Sequence, residues 1–339
     1  MQNFPWVEVK VLYAFQGTGN GHHTRAIEFL PILRSLADVD VWVSGGALDR
    51  TYDVAVNRRF QGVGFAFGTK GGINWGASLC ALKPRTLMRD LKSLDVRSYD
   101  LVLNDFEPLT AWGARRQGVP VVGMSHQAAV KHPCSPKPSE NDAIATRILE
   151  NYASADVEIG FHFQRYAPEI KTPIIRRQVR EATVSNAGHI TVYLPAYGEQ
   201  ALMRVLRHFP EVSWEVFSQH WTLPSSHGHV HFFPASAEGF LKSMASSAGV
   251  LCGAGFETPA EALFLQKPLL VVPMRGQFEQ QCNAAALAQM GVPSVSEFGA
   301  ESMEPLRQWL NNPQVVDVSY PDESREVLMQ ALSNCAPMT

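Results

Sequence analysis

The segment at residues 253–281 constrains the fold more than any other part of the chain. It reads GAGFETPAEALFLQKPLLVVPMRGQFEQQ and follows an apolar run at residues 249–252. That run and the apolar residues 268–272 each predict a buried strand, because a strand covered on both faces carries apolar side chains without a break. The residues between them have the pattern of a helix. The segment therefore predicts a strand, a helix and a second strand of an open α/β sheet.

The predicted helix has a defined start. Thr258 suits the N-cap, Pro259 the first helical position and Glu261 the third. The free N–H groups and the positive dipole end of such a helix favour an anion, and open α/β sheets bind phosphates at this place. Glu279 and Gln280 follow the second strand and add polar groups to the same rim. Thr258 and Glu261 are also an ordinary capping box, which by itself predicts only a stable helix start.

Length and charge narrow the class of protein. The chain has 339 residues, more than one ordinary core holds, which predicts two domains. The formal net charge of -3 gives no basic excess for nucleic acid. No apolar run approaches the roughly 18 residues of a membrane span, and the N-terminus lacks a signal pattern. We therefore predict a cytoplasmic location, with peripheral contact with the inner face of the plasma membrane as an open alternative. The five cysteines show no C-x-x-C spacing, so neither a disulfide framework nor a cysteine zinc site is indicated.

The first half of the chain alternates predicted strands and helices. Its strands are continuously apolar, as expected when helices cover both faces of a parallel sheet. The predicted strands are residues 7–15, 40–44, 101–104, 119–124 and 157–161. The predicted helices are residues 24–37, 84–94 and 108–117. This pattern predicts a doubly wound α/β domain over residues 1–165.

The alternation resumes after a linker at residues 166–186 that contains prolines and charges. The predicted strands are residues 189–194, 214–217, 230–233, 249–252 and 268–272. The predicted helices are residues 199–208, 237–246, 259–265 and 278–290. They form a second domain over residues 187–320, and a last helix within residues 321–339 is expected to return to the first domain. The predicted fold class is α/β, with two Rossmann-like doubly wound domains facing a cleft.

The turn after the first predicted strand, residues 16–23, reads QGTGNGHH. A dinucleotide fingerprint, G-x-G-x-x-G, needs a third glycine at the position that His22 occupies, so the fingerprint fails. The three glycines instead let the backbone approach a ligand closely, and they place the His22 imidazole at the cleft.

Both glycine-bearing turns resemble signatures of the GT-B glycosyltransferases, most closely the UDP-glycosyltransferases and the bacterial peptidoglycan N-acetylglucosaminyltransferases. The first turn resembles the G-T-G-x-G-H loop that opens their acceptor domain. The second resembles their donor-binding run, a G-x-x-S/T-x-x-E-A-L helix, a V-P loop, an acidic-Gln pair and Asn-Ala. Its matching residues here are Gly255, Thr258, Glu261, Ala262, Leu263, Val272, Pro273, Glu279, Gln280, Asn283 and Ala284.

The resemblance implies a function and its partners. It implies transfer of a sugar from a nucleotide sugar, expected to be a UDP-sugar, to an acceptor hydroxyl, with inversion and without a metal ion. The UDP-sugar is a co-substrate, and no cofactor is expected. The acceptor stays open among a lipid-linked molecule, a glycan and a small molecule.

The resemblance also assigns the donor site. It implies that Glu261 binds ribose hydroxyls, that Thr258 and adjoining N–H groups bind the diphosphate, and that Glu279 with Gln280 binds the sugar. The turn at Ala235 is expected near the nucleobase. The complete predicted donor set is Gly19, Gly21, Tyr197, Gly198, Ala235, Gly255, Phe256, Glu257, Thr258, Glu261, Glu279 and Gln280.

Three polar residues are candidates for the acceptor chemistry. His22 is either the general base for the acceptor hydroxyl or a group that orients the loop or the acceptor. Asp105 either orients His22 or caps the helix that begins at Pro108. His126 is the second-choice base.

Two short sequence patterns that are typical of metal sites are interpreted differently here. His227, His229 and His231 alternate on one predicted strand, yet solvated loop histidines are the preferred interpretation. Asp38 and Asp40 lie where a helix turns into a strand, so we reject them as a metal site. The glycine-rich loop at residues 68–82 either contacts a lipid or membrane surface or packs against the cleft.

Three other functions stay open. A UDP-sugar 2-epimerase uses a similar frame without an acceptor, a dehydrogenase needs the fingerprint that His22 interrupts, and a non-catalytic sensor binds the nucleotide sugar without turnover.

Overall fold

The structure is a computed structural model that describes residues 9–46, 51–62, 84–139, 143–219 and 221–334. The loop predicted to contact a lipid or the cleft, residues 68–82, lies outside the described residues.

The first domain is built on a parallel sheet. Its seven described strands have the order β3-β2-β1-β4-β5-β6-β7, so the chain reverses direction across the sheet between β1 and β4. The strands are β1 Lys10–Gln16, β2 Asp38–Ser44, β3 Arg58–Phe60, β4 Leu101–Asp105, β5 Val121–Ser125, β6 Val157–Phe161 and β7 Ile170–Lys171. β4 and β5 are buried at every residue, as the predicted cover on both faces requires.

Helices cover the two faces of this sheet. They are α1 Gly21–Arg34, α2 Pro84–Ser93, α3 Pro108–Gln117, α4 His126–Lys131, α5 Ala143–Tyr152 and α6 Arg177–Arg180. Phe29 and Leu33 of α1 are fully buried in the core. α1 begins three residues before its predicted start, which moves His22 from the turn into the first helical turn.

The second domain repeats the architecture. Its described strands have the order β10-β11-β9-β8-β12-β13, all parallel except β10, and the reversal lies between β8 and β12. The strands are β8 His189–Tyr193, β9 Ser213–Ser218, β10 Ser225–His227, β11 Val230–Pro234, β12 Gly249–Gly253 and β13 Leu269–Val272. The helices are α7 Glu199–Leu206, α8 Ala237–Ser246, α9 Glu257–Phe264, α10 Phe278–Gln289, α11 Met303–Asn311 and α12 Ser324–Ser333.

The last helix, α12, packs against α1 of the first domain. Leu328 and Leu332 on α12 belong to one apolar cluster that also contains residues of both sheets. The linker at residues 166–186 is more ordered than its sequence suggests, since it contains β7 and α6. Among the described residues, no helix combines the length and the apolar character that crossing a membrane requires.

The two reversals determine where a ligand site forms. At such a point the loops from neighbouring strands leave in opposite directions and open a crevice beyond the carboxyl ends of the strands. In the first domain the loops after β1 and β4 flank this crevice. In the second domain the loops after β8 and β12 flank it.

Candidate active site

A cavity of about 350 Å³ lies between the two reversals and is lined by both domains. The loops after β1, β4, β8 and β12 all contribute to its wall. Of the predicted site residues, those on the wall are Gly19, Gly21, His22, His126, Tyr197, Gly255, Phe256, Glu257, Thr258, Glu279 and Gln280. The structure therefore brings together residues that are more than 250 positions apart in the sequence.

His22, on the first-domain wall, forms a buried pair with Asp105 behind it. His22 Nδ1 lies 2.7 Å from Asp105 Oδ1, and the Asp105 side chain is fully buried. The alternative capping role belongs to another residue, because the Glu107 carboxylate accepts from the N–H groups of Leu109 and Thr110 at the start of α3. Of the two readings of Asp105, the geometry therefore supports the one in which it orients His22.

Arg25 completes this pair and was not a predicted site residue. Its Nε donates to Asp105 Oδ2 at 2.8 Å and its Nη2 to Asp105 Oδ1 at 3.1 Å. Burial by itself would raise the pKa of Asp105, but Arg25 and His22 lower it to about 2. The carboxylate therefore stays charged near neutral pH. Arg25 lies three residues, about one helical turn, after His22. This spacing places both side chains on one helix face only if His22 is itself in the helix, which requires the helix to begin at Gly21.

The second glycine turn starts its helix two residues earlier than predicted. α9 begins at Glu257, and Phe256 is the N-cap residue without a side-chain cap hydrogen bond, so the predicted Thr258 cap is wrong. Phe256 is buried and stacks on the His126 ring with centroids 3.9 Å apart. This packing between the domains holds Phe256 at the N-cap, so Thr258 lies inside the first turn of α9.

Glu257 joins the two walls. Its Oε1 accepts from Arg25 Nη1 at 3.1 Å, so a charged contact crosses the cleft. The Gly21 backbone lies against the Glu257 carboxylate, so a Cβ atom at this position would require that side chain to move.

Glu261 does not line this cavity. Its two carboxylate oxygens accept from Arg176 Nε at 2.6 Å and Arg176 Nη2 at 2.7 Å, and its side chain is 6% exposed. Burial raises the pKa of Glu261 above its usual value, and the contacts with Arg176 offset only part of this rise. The predicted contact of Glu261 with ribose hydroxyls stays a prediction, and this geometry gives it no support because Arg176 already uses both oxygens.

His126 lies on the wall, but both of its ring nitrogens are engaged. Nδ1 lies 2.8 Å from the Phe161 carbonyl oxygen, and Nε2 lies 2.8 Å from Asn283 Oδ1 in the other domain. Burial lowers the pKa of His126 to about 4. These contacts favour a role at the domain contact, and they leave His22 as the better-placed base.

Gln127 brings the first domain to the predicted sugar-binding pair. Its Nε2 donates to Glu279 Oε2 at 3.0 Å, and its Oε1 is buried on the cavity wall without a hydrogen-bond partner. Gln280 Oε1 accepts from the Met274 N–H at 2.9 Å. Burial raises the pKa of Glu279 above its usual value. Gln127, His22 and Arg25 offset only part of this rise.

One side of the cavity is apolar. Phe106 follows β4, and Phe278 begins α10. The other apolar residues are Ile148 and Leu149 on α5, a helix that the sequence analysis did not identify. This wall lies beside His22, whose ring stacks at 6.4 Å from that of Phe106.

Besides Glu261, two predicted donor residues lie away from the cavity wall. Gly198 is the N-cap residue of α7, and the Ala235 N–H donates to the Ser218 carbonyl oxygen at 3.0 Å. Their predicted donor contacts stay predictions. Tyr197 is on the wall, and its hydroxyl accepts from the Phe298 N–H at 3.0 Å.

The alternating histidines each have a different neighbour. His227 Nε2 lies 3.0 Å from Glu199 Oε1, His231 Nδ1 lies 2.9 Å from Ser226 Oγ, and His229 Nε2 lies 3.2 Å from the Leu206 carbonyl oxygen. Within the described part of the chain, no group of three or more His, Cys, Asp or Glu side chains is arranged to hold a metal ion.

The family model described as Glycosyl transferase family 1 matches residues 9–312. Searching curated proteins by sequence gave no match.

Solved structures share the architecture at low sequence identity. UGT2 of Phytolacca americana, complexed with UDP-2fluoro-glucose and pterostilbene, is 14% identical, with 97% of this chain and 94% of that chain covered and a TM-score of 0.58. MurG of Acinetobacter baumannii is 16% identical, with 96% and 99% covered and a TM-score of 0.59. A UDP-N-acetylglucosamine 2-epimerase is 15% identical, with 96% and 95% covered and a TM-score of 0.57. At these identities the likeness establishes the fold.

Proposed function

Because the chain belongs to glycosyl transferase family 1 and has the GT-B fold, we propose that it transfers a hexosyl group from a UDP-sugar to an acceptor hydroxyl. The reaction inverts the anomeric carbon and uses no metal ion. One observation carries the proposal: His22, paired with the buried Asp105, and the start of α9 line the same cavity from opposite domains. The general base then lies on the acceptor side of the anomeric carbon, and the anion site lies on the side of the leaving diphosphate.

His22 is the proposed general base. Asp105 engages Nδ1, so Nε2 is the nitrogen that takes the acceptor proton. The buried carboxylate stabilises the imidazolium that forms, and Arg25 keeps that carboxylate ionised. The oxygen that loses its proton attacks the anomeric carbon as the bond to the diphosphate breaks.

The start of α9 is the proposed site of the leaving diphosphate. Its first N–H groups have no partner inside the helix, and the helix dipole is positive at this end. The diphosphate gains charge as the bond breaks, so donors that are already in place stabilise the transition state more than the ground state. Thr258 lies in the same turn, and Glu279 with Gln280 is proposed to bind the sugar hydroxyls.

The apolar wall suggests the kind of acceptor. Phe106 lies beside His22, and Ile148, Leu149 and Phe278 line the same cavity, where an acceptor would bind. We propose that the acceptor carries an apolar group near its reactive hydroxyl, which a small molecule or a lipid-linked molecule provides. Neither the proposed donor site nor the proposed acceptor site requires a membrane-spanning helix. A cytoplasmic location is part of the proposal.

The test is a transfer assay with UDP-glucose, UDP-galactose and UDP-N-acetylglucosamine against a panel of apolar alcohols and phenols. The expected result is acceptor-dependent release of UDP together with a glycosylated product identified by mass spectrometry. Interconversion of the sugar without an acceptor would instead indicate an epimerase. Binding of UDP-sugar without any turnover would indicate a sensor. Loss of transfer in EDTA that manganese or magnesium restores would overturn the metal-free mechanism.

A further inference from the structure

The charges on the cavity wall are unbalanced for a diphosphate ligand. The wall carries the carboxylates of Glu257 and Glu279, and a diphosphate adds further negative charge. Among the described residues on this wall, Arg25 is the side chain that is cationic at every pH near neutrality. Without a metal ion, compensation of the diphosphate has to come from Arg25 and from backbone N–H groups.

Arg25 is held in place for such a contact. Its Nε and Nη2 both donate to Asp105, which fixes the plane of the guanidinium, and the residue is 4% exposed. Nη1 reaches across the cleft and donates to Glu257 Oε1. A guanidinium fixed on one edge presents its other edge for a second anion, and phosphate oxygens suit that geometry as well as a carboxylate does.

Glu257 is the anion that meets this edge. It is the first residue of α9, its side chain is 33% exposed, and its carboxylate lies against the backbone of Gly21. The carboxylate is therefore located between the two glycine turns, where the proposed diphosphate would bind. Two anions cannot share one N–H group of Arg25 without mutual repulsion.

We propose that Arg25 binds the donor diphosphate and that Glu257 competes with the diphosphate for Arg25. This inference rests on the proposed function for the identity of the donor. Entry of the diphosphate displaces the Glu257 carboxylate from Nη1, while the two hydrogen bonds to Asp105 stay in place. Arg25 then links the two halves of the reaction, because the same guanidinium contacts the carboxylate that orients His22 and the group that leaves.

Calorimetric titration of UDP, uridine and inorganic pyrophosphate into wild type and Glu257→Gln tests the proposal. The variant keeps the shape of the side chain and removes the competing charge. We expect it to bind UDP and pyrophosphate about tenfold more tightly, because removing the carboxylate charge removes its repulsion of the diphosphate, and solvent at this partly exposed site screens that repulsion to a moderate size. Uridine has no phosphate, and its affinity should change less than twofold. Glu326→Gln is the matched control, because it changes the net charge equally on exposed α12, and its affinities should equal those of wild type.

Arg25→Lys supplies the second variant, with folding checked by its melting temperature. It keeps the positive charge but cannot hold Asp105 with two N–H groups and reach a phosphate with a third, so UDP affinity should fall while uridine affinity does not. Unchanged or weaker UDP and pyrophosphate binding in Glu257→Gln would overturn the competition. If wild type binds pyrophosphate but not UDP, and Glu257→Gln still tightens pyrophosphate binding, the Arg25 site stands and the UDP-sugar proposal fails.

Discussion

The two glycine turns that face each other across the cleft have the same topology and different chemistry. Each follows a strand at a reversal of its sheet and leads into a helix, α1 or α9. The first turn delivers side chains, since His22 and Arg25 converge on buried Asp105. The second delivers the start of a helix, and the buried carboxylate of that helix, Glu261, is paired with Arg176 away from the cavity. A shared local fold therefore gives a base on one side and an anion site on the other.

The largest expected effect tests the first turn. His22→Ala should lower acceptor-dependent turnover by about 10²–10⁴-fold, the range for loss of a positioned general base. UDP affinity should be nearly unchanged, because the proposed diphosphate contacts are Arg25 and the start of α9 and do not include His22. Steady-state transfer and UDP calorimetry on the same variant measure both quantities.

His23→Ala is the control for this experiment. His23 is the next residue, stacks with Phe15, meets the Tyr52 ring edge-on, and is not on the cavity wall. Its loss should leave turnover within a few-fold of wild type. Equal turnover of His22→Ala and wild type would remove His22 from the mechanism, and a parallel loss of UDP binding would make it a donor contact.

The next effect tests whether Glu261 belongs to the second turn's ligand site or to the fold. Glu261→Ala or Arg176→Ala should each lower the free energy of unfolding by about 3–5 kcal/mol, because each leaves a largely buried charge without its partner. The double variant should lose less than the sum of the two. Arg177→Ala is the matched control, since the neighbouring Arg177 forms an exposed pair with Glu181, and its loss should cost at most about 0.5 kcal/mol.

UDP titration of Glu261→Ala separates the two roles. The contacts predict that the variant loses stability more than it loses UDP affinity. A variant of normal stability that binds UDP more than tenfold more weakly would restore the ribose contact that the sequence resemblance implies.

The architecture could be read from the sequence because local signals determine it. α3 was predicted with its observed bounds, since Pro108 stands at its first position and Gly118 ends it with a φ of 71°. The buried strands β4 and β12 were recognised from unbroken apolar runs. His22 was singled out because it stands where a dinucleotide fingerprint needs a glycine and because its loop resembles the G-T-G-x-G-H loop of the GT-B glycosyltransferases.

The misses arise from contacts between distant residues. The start of α9 depends on Phe256 packing against His126, 130 positions earlier in the sequence. Glu261 pairs with Arg176 in the linker, and a sequence pattern gives no sign of that partner. Arg25 was missed for a different reason: a helix predicted to begin at Thr24 hides the one-turn spacing from His22 to Arg25.

A smaller effect tests a contact that joins the two walls. Gln127→Ala removes the hydrogen bond to the Glu279 carboxylate, and bonds of this kind are worth about 1.5–3 kcal/mol. We expect the KM for the UDP-sugar to rise about tenfold while UDP affinity is unchanged, because Glu279 is proposed to bind the sugar and not the nucleotide. Gln178→Ala, at an exposed position of α6, is the control. A change in UDP affinity equal to the change in KM would contradict this assignment.

The smallest expected effect is the pH dependence of stability that arises from His126, which packs against Phe256 of the second turn. Burial lowers the pKa of His126 from 6.5 to about 4 in the folded protein. Between these values the unfolded chain binds a proton that the folded protein does not, so this stability contribution is complete above pH 6.5 and is lost as the pH falls toward 4. From pH 7.5 to 5.5 the loss attributable to His126 is about 1.4 kcal/mol.

Urea unfolding of wild type and His126→Gln at pH 7.5 and 5.5 measures this loss, with exposed His208→Gln as the control. Glutamine does not titrate, so the variant should lose about 1.4 kcal/mol less than wild type between the two pH values, whatever its stability at either one. Equal losses would contradict a lowered pKa of His126, and a smaller loss in wild type than in the variant would mean that His126 carries two protons in the folded protein. Both nitrogens would then donate, one to the Phe161 carbonyl oxygen and one to Asn283 Oδ1, and the two domains would be joined by a buried cation.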